Sequence, residues 1–148
     1  MQSRLVVAGA VVAALLVAAC GSSAQSTASG TKIAAASNAK LGQILVDGAG
    51  KTIYLFVADT GSSSTCYTTC AQIWPPVLTS GPPQAGTGAN ASLLGTTTRT
   101  DGKTEVTYAG HPLYYFVQDK ATGDTTGQGV NGFGGLWWVV SPSGAAVH

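Results

Sequence analysis

Cys66 and Cys70, the carboxylates of Asp59 and Asp119, and the imidazole of His111 are the side chains whose types and spacing suit them to chemistry. The cysteines read CYTTC, a CxxxC spacing that differs from the CxxC of thioredoxin-like redox sites, and no βαβ pattern surrounds them. In an exported chain such a pair is expected to form a disulfide, and closing so small a ring is worth about 2 kcal/mol in loop entropy. The alternative is a redox pair or a soft-metal site that takes Cys66 and Cys70 with His111. Cu(I) also favours thioethers, and the only methionine is Met1. Asp59 and Asp119 would act as an acid–base pair, or as cation ligands, if the fold brought them together in unlike surroundings. The segment Asp119-Lys120-Ala121-Thr122-Gly123-Asp124 lacks EF-hand ligand spacing. His111 sits in a Gly-His-Pro turn, and the chain has no Gly-x-Ser-x-Gly elbow, so a serine triad built on His111 is weakly supported.

The elements that must position these groups are strands. YLFVAD, from Tyr54 to Asp59, recurs as YYFVQD, from Tyr114 to Asp119. Aligning Gly50 with Gly110 carries Tyr54, Phe56 and Asp59 onto Tyr114, Phe116 and Asp119, and Trp74 has its counterpart in Trp137. Side chains alternate along a strand, so Tyr54 and Phe56 share one face and Leu55 and Val57 the other. Both faces are apolar, which predicts a strand covered on two sides. The aspartates then close the turns at the strand ends by accepting backbone N–H groups. Tyr54, Phe56, Tyr114, Phe116, Trp74 and Trp137 are expected in the core. GQILVDGAGKTIYLF and TEVTYAGHPLYYF read as hairpins, with another turning at Asp101-Gly102. The best helical candidate is Thr65 to Trp74, N-capped by Ser64 or Thr65 and stopped by Pro75-Pro76. The fold class is therefore all-β: a small antiparallel sandwich or barrel-like sheet made of two tandem related halves, with one short helix near the cysteine pair.

The chain opens with Arg4 and an uncharged apolar run from Leu5 to Ala19, suited to a signal peptide and short for a membrane span of about 20 residues. Val17-Ala18-Ala19-Cys20-Gly21 resembles a lipobox, which implies cleavage before Cys20 and a diacylglyceryl group on its thiol. Acyl chains contribute about 0.8 kcal/mol per buried CH₂. Domain organisation follows: a lipoprotein signal peptide over 1–19, a flexible tether over 20–39, and one β domain over 40–148, with repeats at about 41–78 and 93–144. Charged residues make up 9% of the chain and the net charge is +1, with no basic cluster, so a nucleic-acid partner is excluded.

The tandem Tyr-x-Phe-x-x-Asp motifs, CYTTCAQIWPPVL after the first and GDTTGQGVNGFGGLWWVVSPSG after the second, resemble the secreted-repeat predicted lipoproteins. That resemblance implies export, lipidation, tandem repeats and a small β domain; the family's function is unknown and it transfers no active site. The expectation is a lipid-anchored cell-envelope protein facing the extracytoplasmic side. It would serve as a non-enzymatic binding or interaction module without cofactor, contacting the membrane through its anchor and an envelope protein or small molecule through its domain. The alternative is a redox or copper-handling envelope protein that uses Cys66 and Cys70.

Overall fold

The computed structural model describes residues 29–148. Strand β1 (Lys32–Asn38) pairs antiparallel with β2 (Gly42–Asp47), and its first residues pair in parallel with the short β4 (Gln84–Ala85). β3 (Tyr54–Phe56) pairs with β9 (Gly135–Val139), which also holds β8 (Val130–Gly132). β5 (Leu94–Thr98), β6 (Thr104–Tyr108) and β7 (His111–Pro112) form the third sheet. The expectation of an all-β domain with two related halves holds, as three small sheets with mostly antiparallel pairing. The folded chain begins earlier than the sequence suggested: β1 lies inside the segment 20–39 read as tether. Its Ala-rich residues lack a clear alternation, and β2 supplies the apolar face against which they pair.

The helix is also shorter than expected. α1 spans Thr69–Ile73, and Thr68 precedes it at φ 50° without a capping side-chain bond. Thr65 does not cap it, because its hydroxyl and amide are directed to Asp59. Pro75 and Pro76 follow its end, as the helix-breaking argument requires.

A pseudo-twofold relates the halves. Its centre is an antiparallel bridge in which Tyr54 N donates to Tyr114 O and Tyr114 N to Tyr54 O, both at 2.9 Å. Corresponding bonds recur on either side: Leu45 N to Val140 O and Val106 N to Val77 O, and Val57 N to Leu136 O and Val117 N to Ile73 O. Tyr114–Phe116 makes these bridges without forming a regular strand.

Two cores lie on opposite sides of the motif strands. Tyr54, Phe56, Tyr114 and Phe116 enter one, with Trp74, Trp137, Cys66 and Cys70. Ile53, Leu55 and Leu113 enter the other, with Leu45, Val77, Val106, Tyr108 and Val140. The two-residue period of the strand thus divides the motif between two apolar volumes. In the first core Phe56, Trp137, Trp74 and Phe116 form a continuous near-parallel stack with ring centroids 4.0, 4.0 and 4.1 Å apart. Tyr54 meets Trp74, and Tyr114 meets Trp137, edge to face. Each such aromatic contact contributes about 0.5–1.5 kcal/mol beyond area burial. Each motif Phe therefore stacks on the Trp of the other half.

Candidate functional site

The motif aspartates follow strand ends that turn back on themselves: Asp59 N donates to Phe56 O and Asp119 N to Phe116 O, each at 3.1 Å. This turn aims each carboxylate across the pseudo-twofold. Tyr54 Oη donates to Asp119 Oδ2 at 2.6 Å, and Tyr114 Oη donates to Asp59 Oδ2 at 2.6 Å. Each tyrosine thus pairs with the aspartate of the other copy. The remaining oxygens hold the following loops. Asp59 Oδ1 accepts the amide and hydroxyl of Thr65, and Asp119 Oδ1 accepts those of Thr126. The two carboxylates share no donor; each accepts its own hydroxyl and amide groups. Burial, followed by the bonded Asp119, drives the Tyr54 phenol far above its ordinary pKa. Tyr114 is driven up in the same way by burial and by the charges of Glu105 and Asp59. Both phenols are held as neutral donors.

Around Asp59 lies a polar network that the sequence did not reveal. Ser64 Oγ lies 2.7 Å from Tyr114 Oη and accepts Arg99 Nη1 at 2.9 Å. Arg99 Nη1 also reaches Glu105 Oε2 at 2.7 Å, and Nη2 donates to the Cys66 carbonyl at 2.6 Å. The guanidinium carbon lies 4.3 Å from the Tyr67 ring centroid. Arg99 and Glu105 are both buried, and Arg99 Nε and Glu105 Oε1 have no hydrogen-bond partner. Burial pushes the Glu105 carboxyl up to about 7, against the pull of Arg99. Leu45 and Val106 make corresponding backbone bonds, so Glu105 occupies the place of the core residue Ile44. The pair fastens the β5–β6 turn to the loop carrying Cys66.

Cys66 and Cys70 are joined in a disulfide with their Cα atoms 5.2 Å apart. His111 lies on β7, and among the described residues no group of three His, Cys, Asp or Glu side chains is placed to hold a metal. The metal set of Cys66, Cys70 and His111 is therefore not assembled. Cys66 follows Thr65 as Gly127 follows Thr126, and a Cβ at Gly127 would come within 2.7 Å of the Trp74 ring. The two aspartate ends are thus alike in frame and different in surroundings. Cys20, the expected lipidation residue, lies outside the described residues.

A family model described as a secreted repeat of unknown function matches residues 35–78 and 95–141, one match for each structural half. The chain belongs to this family of secreted repeats. Membership makes it an exported protein, and the two matched segments contain both crossed Tyr–Asp pairs. No curated protein and no solved structure matches the chain. Among the described residues no helix of this secreted-repeat protein is long and apolar enough to cross a membrane.

Proposed function

We propose that the protein is a lipid-anchored component of the cell envelope, whose duplicated domain is a non-enzymatic binding module held outside the cytoplasmic membrane. The observation that carries the non-enzymatic reading is the engagement of the motif's polar groups. Both phenols and all four carboxylate oxygens bond within the frame. A general acid or base must reach the proton it transfers, and these groups already have partners. The anchoring reading is supported by the apolar leader ending at Cys20. Only 11 residues separate Cys20 from β1 at Lys32, and at about 3.5 Å each they extend to roughly 40 Å. The domain would stay within about one diameter of the bilayer.

Two measurements on the exported full chain test this. Labelling with a radioactive fatty acid should mark the protein and place it in the membrane fraction. Cys20→Ser should lose both label and membrane association; an unlabelled wild-type chain refutes the anchor. Turnover of any substrate by the purified protein, abolished by Asp59→Ala or Asp119→Ala at unchanged fold, would overturn the non-enzymatic reading.

A further inference from the structure

We propose that the groove beside the second motif, between the Lys51 turn, Pro75 and the loop Val117–Thr122, binds a small soluble organic anion carrying an apolar body. This deepens the binding-module reading and rests on it. The groove has a volume of about 500 Å³. Its apolar wall is Pro75, Tyr115, Phe116 and Val117, and its rim carries Lys51, Lys120 and the Thr122 hydroxyl. Val117 is 40% exposed, an apolar side chain left open at the groove wall.

The placing of two ammonium groups at the rim points to an anion. Asp119 lines it, and Asp47 and Asp124 bond its lining residues; all three keep their charge, but their oxygens accept donors of the frame. Asp47 accepts Ala49 N, Lys51 N and the Tyr115 hydroxyl. Asp119 accepts Tyr54 and Thr126, and Asp124 accepts Lys120 N and Ala121 N. The ammonium groups keep donors to spare. Lys51 Nζ lies 4.8 Å from the Tyr115 ring centroid, and Lys120 Nζ donates to the Val117 carbonyl at 2.7 Å. Among the described residues neither forms an ion pair with a carboxylate. A lysine carries three donors, so each keeps capacity for a ligand. The net charge of +1 shows that this is not one sector of a generally basic surface.

Comparison of the halves separates ligand groups from frame groups. Tyr, Phe, Asp and Trp are common to both copies and build the shared core. By the alignment of Gly50 with Gly110, Lys51, Tyr115 and Lys120 correspond to His111, Leu55 and Thr60. The two cations and the wall phenol are therefore present only in the second groove. Ligand sites commonly combine an apolar lining with a few placed polar groups, as here.

The test is amide NMR of the full chain in detergent, titrated with phenyl phosphate and, in parallel, with benzyl alcohol, which keeps the phenyl body and lacks the charge. Saturable shifts at Val117, Ala121 and Thr122 with phenyl phosphate, at least about tenfold weaker in Lys51→Ala and in Lys120→Ala, are expected. Lys40→Ala should leave the affinity unchanged. Equal binding of benzyl alcohol, shifts scattered over the surface, or lysine variants that bind like wild type would overturn the proposal. Shifts produced only by phosphatidylglycerol vesicles would overturn the soluble ligand and assign the groove to a headgroup. Failure of the titration with acylation intact refutes the groove alone, and loss of acylation with the titration intact refutes the anchor alone.

Discussion

The crossing of the two motifs makes a quantitative prediction about which residues are energetically coupled. Tyr54→Phe removes one hydroxyl, and two buried groups lose a partner: Asp119 Oδ2 at 2.6 Å and Gly127 N–H at 3.3 Å. A hydrogen bond to a charged group contributes about 1.5–3 kcal/mol, and the longer amide contact adds at most about 1. Asp119 is only 8% exposed, so water cannot fully replace the lost donor. The expected loss is about 2–4 kcal/mol, a large share of the roughly 5–15 kcal/mol that holds a domain folded. Urea unfolding of wild type, Tyr54→Phe, Asp119→Ala and the double variant gives the interaction energy. It should be about 2 kcal/mol. The cycle between Tyr54→Phe and Asp59→Ala, residues of the same motif, should be additive within about 0.5 kcal/mol. The reverse pattern, with coupling inside one motif and additivity across the pseudo-twofold, would refute the crossed arrangement.

Three further outcomes follow from other features. Because burial raises the Glu105 carboxyl to about 7 from 4.5, its contribution to stability is complete below about 4.5 and declines as pH rises through 7. Glu105→Gln should therefore gain on wild type between pH 5 and pH 8, by up to about 3 kcal/mol in parallel melts; a loss over that range would mean that Arg99 keeps the carboxylate ionised throughout. Phe133 lies at φ 57° in the two-residue β8–β9 turn and is 49% exposed, so Phe133→Asn should raise stability by about 0.5–1 kcal/mol in urea titration. Replacing Cys66 and Cys70 together with serine should cost about 2 kcal/mol from the small loop alone, and a loss near zero would show that the disulfide does not constrain the unfolded chain.

The duplicated frame was largely legible because its signals are local. Alternation in YLFVAD, turn glycines and the tandem motif are properties of short segments, and they correctly placed Tyr54–Phe56 between two apolar volumes, whereas Val57, read onto the second covered face, is exposed because the strand ends at Phe56. The crossing was not legible. A Tyr and an Asp five residues apart suggest a partnership within one motif, and only the long-range bridge between Tyr54 and Tyr114 redirects each phenol to the other copy. The Arg99–Glu105 pair was missed for a related reason. Upstream of the Gly50 and Gly110 turns, Leu45 corresponds to Val106, so the first repeat has one residue more in its turn. A fixed alignment sets Glu105 against Leu45, and a one-residue slip in a strand exchanges its faces. Allowing for the longer turn sets Glu105 on Ile44, which would have exposed a carboxylate at a core position. For β1 the signal is weak in the sequence itself, since alanines neither alternate sharply nor favour strands.

The two ends of the pseudo-twofold have diverged in opposite directions. At Asp59 the neighbouring groups add constraint: the disulfide closes the loop, and Arg99 ties the Cys66 carbonyl to Ser64 and Glu105. Removing Arg99 would leave Glu105 Oε2 and the Cys66 carbonyl buried without their donor, so this end tolerates little change at that position. At Asp119 the place of Cys66 is taken by Gly127, whose Cα fits against Trp74 and Tyr54 without a side chain. No buried ion pair or disulfide reinforces the Asp119 loop among the described residues, and the Lys51–Lys120 groove opens beside it. A duplicated domain can afford such divergence because the crossed bonds make each copy part of the other's support. Tyr114 holds Asp59, Tyr54 holds Asp119, and the four-ring stack spans both halves. The stiff end therefore supports the open one through the shared core, and the proposed groove takes Lys51 and Pro75 from the first copy and Tyr115 and Lys120 from the second.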